Sequence, residues 1–189
     1  MPHEDKKQIS LFLNNRCNLD CIYCYAKVSH QQKHKKINVD FAKAGINNYF
    51  SQGNYQIRFF STGEPTLEFD TIVELHDFAY QLVGEKLVAE IQTNGVMTEK
   101  RAFWIGRYIN NIWLSCDGPP DIQDTLRPMV SGKPTSAIIE RNVKIMVEEK
   151  KYISKPGFVG ARSTISGKNI YRQREVIDYL ESLGIKITL

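Results

Sequence analysis

Apolar and polar positions along this chain alternate between two periods. Ile9, Leu11 and Leu13 fall on every second residue, the period of a strand with one buried face. Val39, Ala42, Ile46, Tyr49 and Phe50 then recur at helical spacing behind Asn38, whose short polar side chain can cap a helix start. The exchange repeats to the end of the chain. Further strands are predicted over 55–60, 87–93, 111–116, 157–165 and 185–189. Between them lie helices opening at Asp70, Thr98 and Thr135 and a last one over 170–183. The expected inward stripes are Ile72, Leu75, Ala79, Leu82 and Val83, then Ala102, Ile105 and Ile109, then Ile139, Val143, Met146 and Val147. Gly84 and Gly184 are expected to stop the helices they follow. The stretches 17–36, 61–67 and 117–134 read as loops, the last of them holding Pro119, Pro120, Pro128 and Pro134.

A strand-then-helix rhythm means parallel strands joined by right-handed crossovers. Six strands fit a partial (β/α) barrel or an open doubly wound sheet, and periodicity does not choose between them. In either, a site belongs at the C-terminal ends of the strands. The length of 189 residues suggests one domain, 1–189, and a hydrophobic fraction of 42% suffices for a packed core. No run approaches the ~20 apolar residues of a membrane span, and the charged start Met-Pro-His-Glu-Asp-Lys-Lys lacks an apolar signal region. A cytoplasmic protein without a membrane partner is expected. The net charge of +4 is mild and reads as a solvated surface, with no nucleic-acid partner implied.

Candidate chemistry concentrates after the first strand, in Cys17-Asn-Leu-Asp-Cys21-Ile-Tyr-Cys24-Tyr25. Clustered cysteines in a reducing compartment point to a metal site rather than a disulfide framework. A structural zinc site takes four ligands, and so does an ordinary [4Fe–4S] cluster. Three cysteines therefore leave either an open coordination position or a fourth ligand elsewhere, for which His30, His34 and Cys116 are candidates. Other signals also follow strands. Gly63, in Ser61-Thr-Gly-Glu-Pro-Thr66, lets backbone approach a ligand, and Glu64 offers an acceptor for an ammonium group; the same residues also suit a plain strand-to-helix turn. Asn94-Gly95 is a turn pair. Alternation puts Ser115 and Asp117 on one face and Cys116 on the other, where it reads as a buried small hydrophobe. Arg127 could pair with a carboxylate or brace its loop. Arg162, on an apolar strand, is costly unless paired or turned outward.

The spacing C-x3-C-x2-C, with Tyr23 before the last cysteine, resembles the radical S-adenosylmethionine (SAM) superfamily. The fuller string is most similar to its anaerobic sulfatase maturase and ribosomal-peptide maturase branch. That resemblance implies the six-stranded partial barrel, ending here at the sixth strand. It implies a [4Fe–4S] cluster on Cys17, Cys21 and Cys24, with SAM chelating the remaining iron. Reductive cleavage of SAM would give a 5′-deoxyadenosyl radical that takes hydrogen from a peptide or protein substrate. The implied SAM contacts are Tyr23 near the adenine, Gly63 and Glu64 at the amino group, Ser115 and Arg162 at the carboxylate, Asp117 near the ribose, and Asn94 beside the pocket. Thr62 stands where the family usually has a first glycine, and Gln123 where the maturases have a histidine. Flavodoxin or ferredoxin is the implied reductant, and the basic run Lys33-His-Lys-Lys36 would suit an acidic leader peptide. The family's usual cysteine-rich C-terminal extension is missing, so a truncated core is expected. Two readings compete with the maturase: a radical SAM enzyme acting on a small molecule or nucleotide, and a zinc-binding interaction module.

Overall fold

The computed structural model describes residues 8–27, 32–152 and 156–187. Six parallel strands lie in one sheet in sequential order. They are β1 (Ile9–Phe12), β2 (Gln56–Phe60), β3 (Val88–Thr93), β4 (Asn111–Ser115), β5 (Phe158–Arg162) and β6 (Lys186–Ile187). Among the described residues six α-helices connect or follow them: α1 (Val39–Phe50), α2 (Phe69–Val83), α3 (Glu99–Tyr108), α4 (Pro120–Leu126), α5 (Ser136–Glu149) and α6 (Gln173–Ser182). Strand order settles what periodicity left open. A doubly wound sheet reverses its order at a switch point, whereas this one runs in a single direction, as a (β/α) barrel does.

Side chains on the sheet's two faces differ sharply. Leu11, Ile57, Phe59, Ala89, Ile91, Ile112, Leu114, Val159 and Ala161 are buried in one core with the helices. Burying each large member of that set contributes roughly 1.5–3 kcal/mol. The alternate residues form an inner face that is aromatic and polar, with Phe12 54% exposed, Phe60, Arg58, Glu90, Gln92, Trp113 and Arg162.

Helix starts show where local pattern suffices. Asn38 caps α1 as expected, its Oδ1 accepting from the Phe41 N–H at 2.8 Å. Asp70 does not cap α2; it lies in the first turn, and Glu68 holds the N-cap position without a side-chain bond. Leu82 is 43% exposed rather than inward, and His76 takes the buried place beside Trp104 and Tyr108. Thr98 and Thr135 occupy N-cap positions but make no side-chain cap. The α5 start is capped from a distance: Asp124 Oδ1 accepts from the Thr135 and Ser136 N–H groups at 2.7 and 2.8 Å. Asp124 belongs to α4, a helix formed within the stretch expected to be a loop. Gly84 and Gly184 stop their helices at positive φ, 54° and 77°.

Candidate functional site

The cysteine segment lies across the C-terminal ends of the strands and is fastened on two sides. On the first side, the chain leaving β1 is tied to the loop after β2. The Asn14 side chain donates to the Glu64 carbonyl at 2.9 Å, and its Oδ1 accepts from the Arg16 N–H at 2.7 Å. The Asn14 N–H donates to Ser61 Oγ at 3.2 Å, and the Glu64 N–H donates to the Arg16 carbonyl at 2.7 Å. Gly63 sits under this crossing. A Cβ there would lie 1.9 Å from the Arg16 carbonyl oxygen, so its missing side chain is required by the chain's own backbone. Asn15 pins the basic run as well, donating to the Lys33 carbonyl and accepting from the Lys35 N–H.

Glu64 is 2% exposed. Its Oε1 accepts from the Thr66 N–H, the Thr66 hydroxyl and the Thr93 hydroxyl at 3.1, 2.7 and 2.7 Å; its Oε2 accepts from the Asn94 N–H at 2.7 Å. Donors of this chain thus saturate Oε1, and Oε2, with one donor, keeps acceptor capacity for an ammonium. Burial pushes the carboxyl pKa up, against the pull of these donors. Asn94 links this cluster to the cysteines. Its amide donates to Asn18 Oδ1 at 2.8 Å and contacts Cys17 Sγ at 3.8 Å. Burial and the Glu64 carboxylate push the free Cys17 thiol up to about 12. A bound metal cation would favour the thiolate form there. Cys21 is buried and Cys24 half-buried; burial raises Cys21 while Arg127 pulls it down.

On the second side, residues 18–22 run antiparallel to 126–130. The Ile22 N–H donates to the Leu126 carbonyl at 3.0 Å, the Asp20 N–H to the Pro128 carbonyl at 2.9 Å, and the Val130 N–H to the Asn18 carbonyl at 3.1 Å. Leu19 pairs with Met129. The Arg127 Nη1 donates to the Tyr23 hydroxyl at 2.7 Å, and that hydroxyl donates to Asp117 Oδ2 in a short bond. Among the described residues Arg127 thus forms no ion pair with a carboxylate; its link to Asp117 runs through Tyr23. Asp117 is fully buried. Its Oδ1 accepts from the Thr164 N–H at 2.9 Å, and its own N–H donates to Gln123 Oε1 at 2.9 Å. Gln123 in turn donates to the Thr135 hydroxyl at 3.1 Å.

Ser115 and Arg162 are register neighbours at the ends of β4 and β5. Arg162 turns to the inner face, its guanidinium 4.7 Å from the Trp113 ring centroid and 3.2 Å from Gln92 Oε1. Gln92 Oε1 also accepts from Arg58 at 2.8 Å, and Arg58 pairs with Glu90 at 3.1 Å. Arg58, Gln92 and Trp113 were not singled out from sequence, although Arg58 and Gln92 are polar residues inside strands, which is a readable anomaly.

Two of the other candidate ligands, Cys116 and His34, are engaged with groups other than the three cysteines. Cys116 is 1% exposed in the core, its Sγ directed to the Gly118 carbonyl at 3.9 Å, and burial pushes it up to about 11. His34 faces Glu68 at 3.3 Å, beside Lys36 at 2.6 Å. His30 lies outside the described residues. Among the described residues, no group of three or more His, Cys, Asp or Glu side chains converges on one ion. A four-iron cluster makes a different demand: each thiol reaches its own corner, so the three free cysteines of one short loop fit it without meeting at a point. Also among the described residues, no helix is long and apolar enough to cross a membrane.

Residues 11–160 match the family model described as the radical SAM superfamily. An uncharacterized protein of Methanocaldococcus jannaschii is 32% identical over 183 residues, covering 95% of this chain and 60% of its own length. Fe-coproporphyrin III synthase of Methanosarcina barkeri is 30% identical over 183 residues, covering 94% of this chain and 42% of its own. The chain thus spans 60% and 42% of the length of these relatives. Among solved structures, native anSMEcpe with bound AdoMet and Kp18Cys peptide superposes with a TM-score of 0.77 at 21% identity, covering 96% of this chain and 50% of that one.

Proposed function

The chain belongs to the radical SAM superfamily, whose cofactors are a [4Fe–4S] cluster and SAM, and from that premise we propose that it carries out hydrogen abstraction from a peptide or protein side chain. Cys17, Cys21 and Cys24 would hold the cluster. When bound, the two cofactors supply the 5′-deoxyadenosyl radical, with the electron delivered by a flavodoxin or ferredoxin. The protein's part is placement. Gly63, Asn14 and Glu64 fix the cysteine loop, and Asn94 steadies Cys17 and Asn18. The SAM site would be the rim formed by Tyr23, Gly63, Glu64, Asn94, Ser115, Asp117 and Arg162. Arg162 and Ser115, adjacent in register, suit the SAM carboxylate. Tyr23, with its hydroxyl already bonded at both lone pair and proton, would meet the adenine through its ring. In this reading Glu64 shapes the rim for the SAM amino group, and Asp117 anchors the ribose side.

The observation that carries the peptide reading is the open inner face of the sheet, with Phe12 more than half exposed beside the Phe60 ring at 5.1 Å. An extended peptide can lie across such a surface, with aromatic contacts for its side chains. The small-molecule reading rests on a different observation, the 30% identity to Fe-coproporphyrin III synthase. One experiment separates them. The protein is given SAM, dithionite and either peptides with Cβ-deuterated cysteine or a tetrapyrrole precursor of Fe-coproporphyrin III deuterated on its acid side chains. Deuterium in 5′-deoxyadenosine from the peptide is expected; transfer from the tetrapyrrole precursor alone would replace the peptide reading.

A further inference from the structure

Arg127 is a buried charge that meets its nearby carboxylate, Asp117, only through the Tyr23 hydroxyl. It is 9% exposed, and burying a guanidinium is costly unless it is paired. Yet among the described residues no carboxylate forms an ion pair with it, and its only side-chain hydrogen bond goes to the neutral Tyr23 hydroxyl. Its Nε is buried and has no hydrogen-bond partner. Native proteins rarely leave a charged donor in this condition. The register shows what faces it. Bonds from Asp20 to Pro128 and from Ile22 to Leu126 bracket one pair of residues across the two segments, and that pair is Cys21 and Arg127.

We infer that Arg127 is the resident counter-charge of a thiolate-bound iron–sulfur cluster and raises that cluster's reduction potential. The inference rests on the reading that Cys17, Cys21 and Cys24 hold the cluster. Three thiolates outnumber the positive charge of an oxidised [4Fe–4S] core, so the assembly is anionic, and the electron accepted from the external reductant makes it more so. A fixed positive charge in a low-dielectric site stabilises the reduced form more than the oxidised one. An arginine suits the post because it stays protonated whatever its surroundings. Tyr23 holds the guanidinium in place and relays its charge towards Asp117, so the loop's second fastening and the cluster's electrostatics share one side chain. Arg127 is in these terms a positioning residue that acts through the cluster.

The test compares wild-type protein with Arg127→Gln and Arg127→Lys, all reconstituted anaerobically with iron and sulfide. The readout is the midpoint potential of the cluster, followed by electron paramagnetic resonance during a redox titration without SAM. Arg127→Gln is expected to shift the midpoint to a more negative value, and Arg127→Lys to restore it most of the way. A wild-type midpoint in an iron-loaded Arg127→Gln protein would overturn the inference. If Arg127→Gln fails to keep its cluster, Arg127→Lys decides. Wild-type iron content and potential in the lysine variant uphold the charge role, and loss of the cluster there too overturns it. A wild-type protein that takes up no iron would instead sink the reading of the cysteines, a separate and recognisable failure.

Discussion

The cysteine loop is held from two sides, and the two holds differ in kind. On the side of β1 and β2 the fastening is built from backbone and amide groups around Asn14, Arg16 and Gly63, with the Glu64 carboxylate accepting from four donors of the chain. The amide and carboxylate groups named there are all partnered, so this side behaves as rigid scaffold. On the side of β4 the fastening runs through charged or ionisable groups, Arg127, Tyr23 and Asp117, and leaves a guanidinium Nε unpartnered. A finished network specifies position, and an unfinished one has capacity left for something that binds. The contrast places structural work near Cys17 and electrostatic work near Cys21.

Substitutions can break the comparison or sharpen it. The largest effect is expected at Gly63. An added methyl would lie 1.9 Å from the Arg16 carbonyl oxygen and 2.4 Å from its carbon, neither of which can swing aside as a side chain would. Gly63→Ala should cost about 3 kcal/mol or more, beyond ordinary overpacking, and should displace the cysteine loop so that little iron is retained. Denaturant melts and iron analysis check both; a stable, iron-loaded variant would show that the first side is not the rigid one. A smaller effect is expected at Asp124, which caps α5 and so steadies the turn behind Arg127. Asp124→Ala should cost about 1 kcal/mol, the usual cost of a lost cap, with iron content unchanged. If iron content fell in step with stability, the two sides would not be separable as described.

Much of this was legible in the sequence wherever the controlling interaction is local. The Asn38 cap, the stripes of α1 and α3, and the strand after each helix except α4 follow from residues a few positions apart. The three-cysteine spacing is legible for the same reason. What failed depended on distant partners. Thr135 looks like a cap, but Asp124, 11 residues away, takes the role. Asp70 looks like a cap, but the helix begins two residues earlier than such a cap would set, under Glu68, which is engaged with His34 and Lys36. Gly63 was readable as a glycine needed for close approach, yet what approaches is the chain before Cys17. The pairing of Arg127 with the Tyr23 hydroxyl spans 104 residues, and no local pattern encodes it. The stretch 117–134 departs from expectation for a related reason: its prolines suggest irregular chain, but Pro119 and Pro120 stand at a helix start, where the absent N–H costs nothing.

The central claim is that Cys17, Cys21 and Cys24, and not Cys116, hold an iron–sulfur cluster that cleaves SAM. The most direct measurement is iron content together with 5′-deoxyadenosine formed from SAM under dithionite, in anaerobically reconstituted wild type, Cys21→Ala and Cys116→Ala. The account predicts about four irons per wild-type chain, the content of one [4Fe–4S] centre. Both iron and cleavage should persist in Cys116→Ala and be lost in Cys21→Ala. Zinc in place of iron, or cleavage retained without Cys21, would contradict it.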